Sequence, residues 1–123
     1  MTPLVLIVDD DDDAADALGM TLRCFGHDVV LAHSGPEALE RMASSSPPGA
    51  ALIDLALPIM DGFEVARRLR ATHPTTLLVA LTGFSDEQSR RAAEQAGFHQ
   101  YVMKPITARE LDALLRAAMS APR

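Results

Sequence analysis

A few residues in this chain could do chemistry on a charged substrate. The stretch VDDDDD sets five carboxylates, Asp9 to Asp13, directly after an apolar run. Asp54 closes a second apolar run, AALID, and Thr82 closes a third, TLLVALT. Lys104 is the single lysine among ten arginines, and Pro105 follows it. Carboxylates supply hard oxygen donors for a divalent cation, and a carboxylate can also act as a nucleophile. Lysine is a compact ammonium on a flexible stem, suited to a carboxylate or a phosphoryl oxygen. Pro105 suggests a fixed turn and allows a cis bond. An isolated acidic block usually lies in a solvated tail, so something must bring these groups to one place.

The elements that could position them follow from periodicity. LVLIV (4–8) is short, continuous and β-branched, as a strand buried on both faces should be. DVVLA (28–32), AALID (50–54), TLLVALT (76–82) and the weaker HQYVM (99–103) read as further strands. Between them lie helical patterns. Leu18, Leu22 and Phe25 belong to a helix over 13–25, ended by Gly26. Ala38, Leu39 and Met42 mark a second, and Phe63, Ala66 and Leu69 a third over 62–72. A fourth ends at Gly97, and Leu111, Leu114, Leu115 and Ala118 mark a fifth. Ser34/Glu37, Ser85/Gln88 and Thr107/Glu110 have capping-box spacing.

The order is (βα) five times, which predicts one α/β domain over 1–123: a doubly wound, five-stranded parallel sheet with helices on both faces. Ligands of such sheets sit beyond the carboxyl ends of the strands. Asp9, Asp10, Asp54, Thr82 and Lys104 all fall at that edge. Converging carboxylates raise one another's pKa unless a cation offsets them, and all-oxygen donors point to Mg²⁺.

Composition limits the partners. The 123 residues carry a formal net charge of −6 and are 48% hydrophobic. Direct nucleic-acid binding is not expected without a basic patch. Cys24 alone cannot form an internal disulfide, and its helical position predicts a partly buried thiol. No apolar run reaches the length of a membrane span, and no signal peptide is visible, so a soluble cytoplasmic protein is expected. His27, His33, His73 and His99 lack metal-ligand spacing and read as surface or loop residues.

Four segments, IVDD (7–10), LIDLALPIMDG (52–62), ALTG (80–83) and YVMKP (101–105), occur in register at strand ends. Together they resemble a response-regulator receiver domain, the phosphoacceptor module of two-component signalling. The resemblance implies a flavodoxin-like strand order, 2-1-3-4-5. It implies that Asp54 accepts a phosphoryl group from a phosphohistidine on a sensor histidine kinase or a histidine phosphotransfer protein. Asp9 and Asp10, with Asp54 and the backbone carbonyl of Ala56, would hold Mg²⁺ or Mn²⁺. Thr82 and Lys104 would contact the phosphoryl group. Thr82 and Tyr101 would form the switch, altering a face of roughly residues 85–119 that meets a downstream protein. The family often has Phe where this chain has Ile106. Ala56 and Phe84 occupy positions that tune phosphate lifetime, and Ala56 cannot orient a water. Gly83 leaves room for the incoming phosphohistidine.

No output domain is expected within these residues. The chain reads as free-standing, or as a receiver from a hybrid histidine kinase or longer regulator. Two other functions fit parts of the sequence. A Mg²⁺-dependent phosphatase with an aspartyl nucleophile could use Asp9-Asp10-Asp11, but it would want a small residue where Asp13 stands, and length for a cap. A flavodoxin-like cofactor binder wants a Gly- or Ser-rich loop after the first strand, where this chain has aspartates. A signalling module rather than a turnover enzyme is the expectation.

Overall fold

The structure is a computed structural model and describes residues 4–43, 48–83 and 86–119. Among these residues strands and helices alternate. They are β1 (Leu4–Val8), α1 (Asp12–Cys24), β2 (Asp28–Ala32), α2 (Gly35–Met42), β3 (Ala50–Asp54), α3 (Gly62–Thr72), β4 (Leu77–Thr82), α4 (Glu87–Ala96), β5 (Gln100–Met103) and α5 (Ala108–Met119). The strands form one parallel sheet in the order β2-β1-β3-β4-β5. Val8 pairs with Ala32 and Ile53, Asp54 with Leu81, and Thr82 with Met103. That register brings the carboxyl ends of the strands to one edge. No helix among the described residues is long and apolar enough to cross a membrane.

Strand alternation divides the core between the two faces of the sheet. Leu6, Val8, Ala51, Ile53, Leu78 and Ala80 face α2, α3 and α4, where Met42, Val65 and Leu69 pack. Val5, Ile7, Leu52, Val79 and Leu81 face α1 and α5, where Leu22, Leu111 and Leu115 pack. Each fully buried aliphatic side chain of this size stabilises by about 1.5–3 kcal/mol. The helices are not equally held. α3 buries Val65, Ala66 and Leu69, whereas the buried side chains of α4 are Ala93 and Ala96. At about 0.8 kcal/mol per methyl-sized group, α4 is the weakly attached helix of that face.

Helix starts follow the sequence with local corrections. Asp11 caps α1 by accepting from the Ala14 amide. Ser34 caps α2, and the Glu37 carboxylate accepts from the amide of His33. Thr107 and Glu110 form the full reciprocal box at α5. Asp61 caps α3 by accepting from the Glu64 amide. For α4 the cap is Asp86, which accepts from both the amide and the hydroxyl of Ser89. The predicted Ser85 box lies outside the described residues. β5 begins at Gln100 rather than at residue 99, because the His99 ring leaves the strand pattern and accepts from the Leu78 amide.

Two further expectations are corrected. Cys24 is exposed, because the buried stripe of α1 runs through Ala15, Gly19 and Leu22. His27 is buried, with 6% of its surface exposed. It follows the left-handed Gly26, and its Nε2 meets Asp112 Oδ1 of α5 at 2.6 Å. Arg116 adds two hydrogen bonds to Asp112 and donates to the Phe25 carbonyl.

Candidate functional site

β1, β3, β4 and β5 deliver the predicted polar residues to one edge. Asp9 follows β1 and is tied to β2 by its amide, which donates to the Ala32 carbonyl at 3.1 Å. The Asp11 amide in turn donates to Asp9 Oδ1 at 3.0 Å. This turn lets the acidic run change role within three residues. Asp9 points into the edge, Asp11 caps α1, and Asp12 and Asp13 lie in its first turn. Negative charge there is favoured by the helix dipole by about 0.3–1 kcal/mol each.

Asp54 is the last residue of β3, and the Ala56 amide donates to its Oδ1 at 2.9 Å. Its other oxygen, Oδ2, lies 3.0 Å from Lys104 Nζ. Lys104 also reaches Asp9 Oδ2 at 3.4 Å. Its backbone is fixed by an amide donating to the Thr82 carbonyl at 2.7 Å. The Lys104–Pro105 peptide is cis. Thr82 is buried at the end of β4. Carboxylate oxygens of Asp9, Asp10 and Asp54 lie within 4.8 Å of one another.

The electrostatics match this crowding. Burial pushes the Asp9 carboxyl above the usual carboxylate range, and the neighbouring Asp54 charge adds to the rise. The Asp11 amide and Lys104 oppose it. For Lys104, burial alone would lower the ammonium. The hydrogen bond and charge of Asp54, joined by Asp9, outweigh burial and hold it above its ordinary value. Lys104 therefore supplies part of the offset that three clustered acids require. The remaining negative charge and the all-oxygen donor set suit a hard divalent cation. Asp9 is 6% exposed while Asp10 is exposed, so a cation there would keep water on its open side.

A family model described as response regulator receiver domain matches residues 5–116. The chain belongs to this family. Receivers are signalling modules of two-component systems. Among curated relatives, response regulator MprA of Mycobacterium ulcerans (strain Agy99) is 39% identical over 119 residues, covering 97% of this chain and 51% of that protein. The chain thus spans about half the length of the curated relatives it matches. A CheY-like response regulator receiver domain protein from Methanospirillum hungatei JF-1 superposes with a TM-score of 0.92 at 27% identity, covering 98% of this chain and 95% of that one. Response regulator DrrB, a Thermotoga maritima OmpR/PhoB homolog, gives a TM-score of 0.85 at 25% identity, covering 98% of this chain and 54% of that one.

Tyr101 of this receiver is half-buried and pairs in register with Ala80. Thr82 is two residues beyond Ala80, so Thr82 and Tyr101 share a sheet face. Phe84 lies outside the described residues. Two features of the edge escaped sequence reasoning. His33 follows β2 and lies 3.5 Å from Asp12, so β2 also ends in a polar group. Gly62 packs under the site. A Cβ there would stand 2.4 Å from the Asp54 carbonyl oxygen and 2.8 Å from Leu55 Cα. The Asp-Gly pair was its only sequence signal, and that pair reads equally as a turn.

Proposed function

We propose that this receiver accepts a phosphoryl group on Asp54 from a phosphohistidine of a histidine kinase or histidine phosphotransfer protein. One observation carries the reading. The Asp54 carboxylate is pinned by the Ala56 amide, faces Lys104 at 3.0 Å and clusters with Asp9 and Asp10 at the open edge of the sheet. An Asp54 oxygen attacks phosphorus in line with the phosphorus–nitrogen bond. The new phosphorus–oxygen bond forms as that bond breaks, and the electron pair stays on the imidazole nitrogen. Lys104 transfers its hydrogen bond from the carboxylate to a phosphoryl oxygen, and the Thr82 hydroxyl donates to another. Asp9, Asp10, Asp54 and the Ala56 carbonyl are the groups that would hold Mg²⁺ or Mn²⁺. When bound, the ion neutralises charge on the transferring group.

The phosphoryl group carries about −1.5 to −2 charge in place of the single negative charge of the Asp54 carboxylate, and with its three acceptor oxygens it biases a two-state element. That element is the surface of α4, β5 and α5. Thr82 turns toward the phosphoryl group and the Tyr101 ring follows along the face they share. Weak attachment of α4 supports this placement, because little burial resists its movement. A downstream protein reads the altered surface.

Incubation with Mg²⁺ and acetyl phosphate tests the proposal by intact mass. Wild type gains one phosphoryl group and then stops. Asp54→Asn gains none. A gain that survives Asp54→Asn refutes the assignment, and sustained turnover of small phosphate esters would indicate a phosphatase instead.

A further inference from the structure

Arg90 lies exposed on α4, yet its guanidinium carbon stands 4.6 Å from the centroid of the Tyr101 ring. Its neighbour Arg91 instead pairs with Glu87 along the helix at 3.3 Å. Arg90, Phe98 and Tyr101 line a crevice of about 190 Å³ between α4 and β5. A cation over an aromatic face is attracted by the ring quadrupole, and the planar Arg fork stacks where a Lys ammonium does not. α4 buries only small side chains, Ala93 and Ala96. The Arg90–Tyr101 contact therefore adds a tie between this helix and β5.

We propose that Arg90 is the latch of the switch, holding the Tyr101 ring against α4 until Asp54 is phosphorylated. The inference rests on the reading of Asp54, Thr82 and Tyr101 given above. Movement of the ring toward Thr82 carries it away from the guanidinium. The contact belongs to the resting arrangement, and such differential contacts are what set a two-state equilibrium. Phosphorylation must break it, and its strength sets how completely one phosphoryl group displaces the switch. Removing it should shift the equilibrium toward the active arrangement about two- to fivefold. By linkage, ligands of the active arrangement bind tighter by the same factor.

The chain has one tyrosine and no tryptophan, so its emission reports on Tyr101 alone. Beryllofluoride with Mg²⁺ serves as the phosphoryl mimic. Its affinity is measured by calorimetry, and exposure of Tyr101 by acrylamide quenching. Arg90→Ala should bind the mimic about two- to fivefold tighter, and its resting Tyr101 should be quenched more readily. Arg90→Lys should fall between it and wild type. In a Tyr101→Leu background, Arg90→Ala should leave mimic affinity unchanged, which a general effect on folding or charge would not reproduce. Unchanged or weaker binding by Arg90→Ala overturns the latch, as does an equal effect without the tyrosine. Mimic binding that is absent, or that persists in Asp54→Asn, overturns the underlying acceptor reading by a different signature. Arg90 is exposed, and matching far-UV spectra with cooperative thermal melts would establish that the variants fold.

Discussion

Replacing Gly62 with alanine sets two effects of opposite sign against each other. Gly62 is the first residue of α3 and does not have a left-handed φ. By local propensity alone, alanine should stabilise the protein by about 0.4–1 kcal/mol, because it restricts the unfolded chain. Packing says otherwise. The added Cβ would lie 2.4 Å from the Asp54 carbonyl oxygen and 2.8 Å from Leu55 Cα, and both are backbone atoms. The gap must open by at least ~0.6 Å to reach the 3.0 Å floor below which Cβ contacts essentially never occur. Overpacking costs about 1–3 kcal/mol, and a clash with backbone belongs at the upper end, so after the gain of about 0.4–1 kcal/mol the net expectation is a loss of roughly 2 kcal/mol. With an unfolding entropy of about 2.1 cal/mol/K per residue over 123 residues, the melting temperature should fall by roughly 8 °C. The displaced backbone belongs to Asp54. Since a misplacement of about 1 Å can cost a hundredfold in rate, phosphorylation from acetyl phosphate should slow by about tenfold or more. Thermal melts by circular dichroism and time-resolved intact mass measure both. Gly83→Ala is the control, because an added Cβ there meets nothing within 4 Å. A Gly62→Ala protein that melts at or above wild type and accepts phosphate normally would refute the packing argument.

Other predictions follow from the same geometry. Asp9→Ala and Asp10→Ala should each abolish the Mg²⁺-dependent rise in melting temperature and the mass gain, whereas Asp13→Ala, exposed in the first turn of α1, should change neither. Asp112→Ala should cost about 1–3 kcal/mol in denaturant melts, since it strips the buried His27 ring of its partner. Burial raises the Asp112 carboxyl, but the hydrogen bonds from His27 and Arg116 outweigh it and hold the group below its usual value. A depressed carboxyl contributes stability above its unfolded pKa, about 3.9, and loses it as pH falls further, so Asp112→Asn should flatten the acid limb of the stability profile. Ala56 offers no side-chain polar atom to orient a water beside Asp54, so the isolated phosphoprotein should outlast a half-life of seconds by mass spectrometry. Gly83→Ala should accept phosphate from acetyl phosphate as wild type does but more slowly from a phosphohistidine partner, which needs the open space. Equal rates from both donors would remove that role.

The sequence by itself determined the alternation of elements and the edge at which chemistry can occur. Buried parallel strands such as Leu4–Val8 need apolar residues on both faces, and the helices between them carry a periodic apolar stripe, so both patterns are local and legible. Once the order was known, Asp9, Asp54, Thr82 and Lys104 had to share one edge, since every parallel strand ends on the same side. Tertiary structure decided everything that depends on a partner distant in the chain. His27 resembled a loop residue until α5 brought Asp112 to it, 85 residues away. Gly62 resembled a turn until its closeness to Asp54 appeared, because steric room is a property of two segments and not of one. Lys104 reaches both Asp9 and Asp54, at separations of 95 and 50 residues. Arg90 meets the Tyr101 ring only because the fold lays α4 beside β5. Periodicity fixes which face a residue shares with its neighbours along the chain, and only the packed fold fixes what that face meets.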